Sequence, residues 1–190
     1  MKKSAILFSI ASLFLLSSCM EQKINPKISI DESAEREKYG DKITITPSDE
    51  TVEFSKSKIT ISPKVENATY TISGYFKGQL VVNTKNTIIK LQNAFLENTS
   101  GKPAIKTNAK TEISSSKDSV NYIITSGRTF SKIGTISANR GLVLGGSGTL
   151  YVKNKVAHAI EAEGVKIKGS GKFFFEGCKK GSALNCDSLE

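Results

Sequence analysis

The chain has 190 residues and a formal net charge of +9, with 15 glycines, no tryptophan and 7% aromatic residues. That length holds one domain plus a leader, and the Thr, Ser, Val, Ile and Gly usage favours short strands and turns. No stretch after Met20 is apolar for long enough to cross a membrane as a helix, and three cysteines cannot all pair with one another.

The charge is uneven. Residues 19–68 hold 8 basic and 10 acidic side chains, whereas residues 69–190 hold 17 basic and 8 acidic. A positive field over the second part suits anionic polymers or surfaces. The plainer reading is that lysines keep a β-surface soluble and block edge pairing.

Met1-Lys2-Lys3 is a basic start, Ala5–Leu16 is apolar, and Leu16-Ser17-Ser18-Cys19 closes the segment. The apolar run has the length of a signal core and is short for a membrane span. Together these features resemble the lipobox of bacterial lipoproteins. The resemblance implies a signal peptide over residues 1–18, lipidation of Cys19, and anchoring to a membrane of the cell envelope. More than one acyl chain is needed for stable anchoring. Residues 19–41 are polar with no sustained apolar period, so they read as a tether, with a helical turn or two within Asp31–Lys38.

Residues 42–190 read as one domain. Lys42–Thr46, Thr51–Phe54 and Lys58–Ser62 alternate like short strands and form an N-terminal cap. Beyond them the chain repeats itself. Leu142–Leu150 (L-V-L-G-G-S-G-T-L) and Val165–Phe173 (V-K-I-K-G-S-G-K-F) lie 23 residues apart, and each leads to a third segment, Ala159–Ala162 and Ala183–Cys186. Three short strands and three turns per repeat describe one rung of a solenoid. The fold expected is all-β, a right-handed parallel β-helix.

Alternation assigns the inward residues. First strands contribute Ile89/Leu91, Thr111/Ile113, Leu142/Leu144 and Val165/Ile167. Second strands contribute Ala94/Leu96, Tyr122/Ile124, Leu150/Val152 and Phe173/Phe175. Third strands contribute Ile105/Thr107, Ile136/Ala138, Ile160/Ala162 and Leu184/Cys186. The one sizeable insertion is Ser126–Ile133.

T-Y-T-I-S-G at 69–74, Q-L-V-V-N at 79–83, T-I-I-K-L-Q-N-A at 87–94 and K-P-A-I-K-T-N at 102–108 carry a family pattern, continued by the later G-x-G-T-L and A-I/A-L turns. From Lys42 to Glu190 the chain resembles carbohydrate-binding domain-containing proteins of bacterial surfaces, similar in shape to pectate lyases. The resemblance implies non-catalytic binding of polysaccharide, with an acidic, pectin-like polymer as partner. Calcium is implied by the resemblance alone. The residues offer only Asp118, Asp187 and scattered glutamates, fewer carboxylates than calcium prefers.

An enzyme needs a positioned base and a cation for the sugar carboxylate. Arg128 and Arg140 sit beside no acidic cluster, and His158 stands alone before an inward turn, so catalysis is not expected. Low aromatic content and no recognised motif count against nucleic acid. A structural or adhesin-type lipoprotein binding a protein is the alternative.

Cys178 and Cys186 lie eight residues apart; a small buried thiol at Cys186 is favoured over a disulfide between them. Ser188-Leu189-Glu190 matches the opening of a further first strand (Gly164-Val165-Lys166), so the domain is expected to stop early, with an open end that invites self-association.

The candidate ligand site is the outward column of the second strands. Phe95, Ile123, Tyr151 and Phe174 fall between the inward residues, spaced about 4.8 Å apart by stacking. Flat rings suit sugar faces, and Lys153 and Lys172 can pair with sugar carboxylates. The competing reading is that the N-terminal segment or a loop covers this column, or that it is a protein contact.

Overall fold

The computed structural model describes residues 31–190 except 128–132 and 179–180. The leader, Cys19 and Arg128 lie outside the described residues. Glu32–Glu190 form one compact unit. No described helix is long and apolar enough to cross a membrane.

The unit starts with a short helix, α1 (Glu32–Glu37), and continues as strands: β1 (Ile43–Thr46), β2 (Val52–Ser55), β3 (Lys58–Ile61), β4 (Thr69–Lys77), β5 (Gln79–Val82), β6 (Thr87–Asn98), β7 (Ile105–Thr107), β8 (Thr111–Ser115), β9 (Val120–Thr125), β10 (Ile136–Ala138), β11 (Leu142–Gly146), β12 (Thr149–Asn154), β13 (Ile160–Ile167), β14 (Lys172–Glu176) and β15 (Leu184–Leu189). All fifteen join one large open sheet. β1 runs antiparallel to β4, and β2 to β3. Every other pairing among the described strands is parallel.

Three parallel ladders result. The first stacks Tyr70, Ile89, Ile113, Leu144 and Ile167. The second stacks Phe76, Leu96, Ile123, Val152 and Phe175. The third stacks Ile59, Leu80, Ile105, Ile136, Ile160 and Leu184. The long strands β6 and β13 each serve two ladders. The inner residues of all three merge into one apolar core. Fully burying one such Ile or Leu contributes roughly 1.5–3 kcal/mol, so the stacking itself holds the sheet together.

The Gly-Ser-Gly turns are glycine for a steric reason. Gly146 and Gly169 have φ of +98° and +87°, and a Cβ on either would run into the backbone of the preceding turn. Backbone lies directly on backbone here, which only glycine permits.

The third strands follow the expected columns: Ile136 and Ala138 pair with Ile160 and Ala162, which pair with Leu184 and Cys186. In the first strands the facing is as expected but the alignment is two residues off at β6. Thr87, not Ile89, stands over Thr111, and Ile89 over Ile113.

β9 requires a correction. Its inward residues are Asn121 and Ile123, not Tyr122 and Ile124. Asn121 is fully buried and fully used. Its Oδ1 accepts from the Ala94 N–H at 2.9 Å, and its Nδ2 donates to Ser115 Oγ and Ser119 Oγ at 2.7 and 2.9 Å. A buried amide with every bond satisfied is tolerated where a bare one would be costly. The freed Ala94 N–H arises because β6 turns a corner at Asn93, whose φ is +52°, with an irregular register against β4.

Residues 32–39, read as part of the tether, pack against the sheet. α1 buries no side chain of its own, so it is held by contacts at its side-chain ends. A helix of six residues is not stable alone.

Candidate functional site

The outer face of the second ladder carries one aromatic ring per strand: Tyr75, Phe95, Tyr122, Tyr151 and Phe174. In-register parallel strands repeat at about 4.8 Å, so same-face rings must stack at nearly that spacing. Ring centroids are 6.0 Å apart for Tyr75–Phe95, 5.3 Å for Phe95–Tyr122, 4.9 Å for Tyr122–Tyr151 and 4.7 Å for Tyr151–Phe174. The last two pairs are parallel to within 9° and 12°. Stacked rings spend their faces on one another and turn edges outward. Phe174 lies on the last described strand of this ladder, stacked against Tyr151 and half-buried.

The N-terminal strap covers the first half of this face. Tyr39 sits edge-on against Phe95 and Tyr122, with centroids 5.5 and 5.8 Å away, and its hydroxyl donates to the Val120 carbonyl at 2.8 Å. The Tyr122 hydroxyl donates to Glu35 Oε2 at 3.3 Å. The Arg36 guanidinium lies 4.4 Å over the Tyr75 ring. Glu32 reaches both Lys153 Nζ, at 3.2 Å, and Lys155 Nζ, at 2.6 Å.

Phe95 is therefore 2% exposed and Tyr122 5% exposed, while Tyr151 and Phe174 remain half-buried. Burial, then the Glu35 carboxylate, pushes the Tyr39 phenol up to about 12. The same two causes raise Tyr122. Tyr75 is raised by burial and by Glu97.

The expected site residues thus separate. Tyr151, Phe174 and Lys172 share the open half, with Lys172 exposed. Phe95 belongs to the column but is covered. Ile123 is not on this face: it is 0% exposed within the core, and Tyr122 takes its place. Lys153 is held between Glu32 and Glu176, the latter at 3.3 Å. Tyr75, Tyr122 and Tyr39 were missed. A search for one ring per rung, rather than for the most apolar inward pair, would have found Tyr75 and Tyr122.

His158 is 7% exposed, and its Nδ1 accepts from the Ser182 N–H at 2.9 Å, fixing one turn to the next. Arg140 is exposed. Cys178 and Cys186 are half-buried thiols, and burial, with Asp187, pushes Cys186 upward. A polar groove of about 290 Å³ on the outer face of the third ladder includes Ser137, Asn139, Glu161, Asn185 and Asp187. Among the described residues, no group of three or more His, Cys, Asp or Glu side chains is arranged to hold a metal ion.

Residues 55–181 match the family model described as carbohydrate-binding domain-containing protein. The chain belongs to this family. Membership supports non-catalytic carbohydrate binding as its role. The matched span of this carbohydrate-binding domain includes all five rings of the ladder together with Lys153, Lys155 and Lys172; the strap and Tyr39 precede it. Comparison with curated proteins gave no significant match, nor did comparison with solved structures.

Proposed function

We propose that this chain is a non-catalytic module for an acidic polysaccharide, carried on a lipid at Cys19 in the cell envelope, and that its three ladders are the faces of a right-handed parallel β-helix. The observation that supports the glycan reading most is the open half of the ring ladder. Tyr151 and Phe174 are half-buried beside the exposed Lys172, on a matched carbohydrate-binding domain. The half-buried rings offer apolar surface to a sugar, and the lysine offers a cation to a sugar carboxylate.

The test is affinity for polygalacturonate and for a neutral glucan. Phe174→Ala and Tyr151→Ala should each weaken polygalacturonate binding about tenfold, or about 1.4 kcal/mol. Lys90→Ala, on the exposed face of the first ladder, should not. Unchanged affinity in the two ring variants, with the fold intact, moves the site elsewhere. Binding that vanishes merely as salt rises assigns it to the lysines. For the anchor, Cys19→Ala should move the protein out of the detergent phase on partitioning.

A second reading rests on the far end of the ladders. β14 pairs only with β12 and β15 only with β13 among the described strands, and Leu189 is 58% exposed. Open edges and apolar side chains favour a protein contact or self-association. A strictly monomeric protein at high concentration, by sedimentation, rejects it.

A further inference from the structure

We propose that Lys153 and Lys155 form a carboxylate subsite beside the ring ladder, that Glu32 fills it in the unliganded chain, and that a uronate of an acidic glycan takes Glu32's place. This rests on the acidic-polysaccharide reading above and adds to it a named subsite and a built-in occupant.

Both oxygens of one carboxylate are engaged: Glu32 Oε1 with Lys153 and Oε2 with Lys155. Glu176 contributes one negative charge to the same cluster. Without Glu32, two lysines and one glutamate leave a net charge of +1, and one incoming carboxylate restores neutrality. The strap also places a flat six-membered ring, Tyr39, against Phe95 and Tyr122 on the same face. A uronic acid unit likewise presents a carboxylate together with a six-membered ring, whose apolar C–H face suits an aromatic surface. Burial disfavours the Lys153 ammonium, yet its two carboxylate partners, Glu32 and Glu176, outweigh this and raise its pKa.

Two further observations make the occupant replaceable. α1 is six residues long, too short to be stable alone, and none of its residues is fully buried, so contacts at side-chain ends hold it. The family-matched span, 55–181, contains the rings and both lysines but not the strap. Charge favours the exchange as well. Residues 69–190 carry an excess of nine positive charges, which concentrates a polyanion near this face.

The experiment uses the full chain and polygalacturonate, with a neutral glucan as the control polymer. Glu32→Gln should bind polygalacturonate about threefold more tightly than the wild type, the range of a modest ion pair. Glu37→Gln makes the same charge change at an exposed position of α1 and should leave affinity unchanged. In a Lys153→Gln/Lys155→Gln background, Glu32→Gln should give no gain. Polygalacturonate, not the neutral glucan, should speed amide hydrogen exchange over residues 32–39. Thermal melts show whether each variant is folded. Wild-type binding that Glu32→Gln leaves unchanged or weakens overturns the subsite while the glycan reading stands; so does an equal gain from Glu37→Gln. Failure of every folded variant to bind polygalacturonate overturns both.

Discussion

On its inner face the second ladder stacks Leu96, Ile123, Val152 and Phe175; on its outer face it stacks Phe95, Tyr122, Tyr151 and Phe174. The strands are the same, and the burial of Ile123 and Tyr122 differs little, at 0% and 5%. What differs is the cause. Ile123 is enclosed by the other two ladders, whose side chains reach it from fixed backbones. Tyr122 is enclosed by its stacked neighbours and by a strap whose helix buries none of its residues fully and whose Tyr39 is half-buried. Burial against a sheet is part of folding. Burial under a strap is a local equilibrium that can open while the sheet stays intact.

The largest effect should come from breaking the inner face. Ile123→Asp puts a carboxylate into a dry column and should cost about 4 kcal/mol or more. No cooperative thermal transition by circular dichroism is the expected result. A near-normal melt would mean that Ile123 does not share the core, and the two faces would have to be exchanged.

Asn121→Leu sharpens the same comparison at a polar inner position. It keeps the heavy-atom count and branching in a bulkier side chain, but orphans the buried Ala94 N–H and removes the donor to Ser115 and Ser119. Leaving such groups unpaired costs about 2 kcal/mol, read as a lower denaturant midpoint with an unchanged slope. A gain in stability would show that β9 can shift its register to bury the leucine.

Tyr39→Phe tests the strap and should have the smallest effect. It removes the hydrogen bond to the Val120 carbonyl, about 1 kcal/mol, and keeps the ring. Its pH signature is more telling. Tyr39 ionises near 10.0 when unfolded and at about 12 when folded. The folded state thus keeps a proton that the unfolded state has lost. The stability from this group is full below pH 10 and drains away as pH rises to 12. Tyr39→Phe should make that part of the melting-temperature profile shallower, with the remaining slope carried by Tyr122 and Tyr75. An identical profile would mean that the strap is already released in solution.

Much of this arrangement was legible. The third strands, such as Ile136-Ser137-Ala138 and Ile160-Glu161-Ala162, alternate apolar with polar, so only one face can be buried. The glycines at 146 and 169 marked the stacked turns because no other residue fits there. β9 was not legible in this way. In Val120-Asn121-Tyr122-Ile123-Ile124-Thr125 the pair Tyr122/Ile124 is more apolar than Asn121/Ile123, so hydrophobicity chooses the wrong side. A slip of one residue then exchanges every side chain between faces.

The sequence by itself determined the repeat, the strand-and-turn spacing, the basic charge of residues 69–190 and the facing of most rungs. These depend on chain-local alternation and on glycine sterics, which any reader of the chain can see. Only the tertiary structure decided the facing of β9, because the reward for burying Asn121 is a hydrogen bond to Ala94, 27 residues away. Only it decided the covering of Phe95 and Tyr122, because Glu32 and Tyr39 meet their partners across more than fifty residues of chain. Contacts of that range are set by how rungs stack in space, and no periodicity along the chain encodes them.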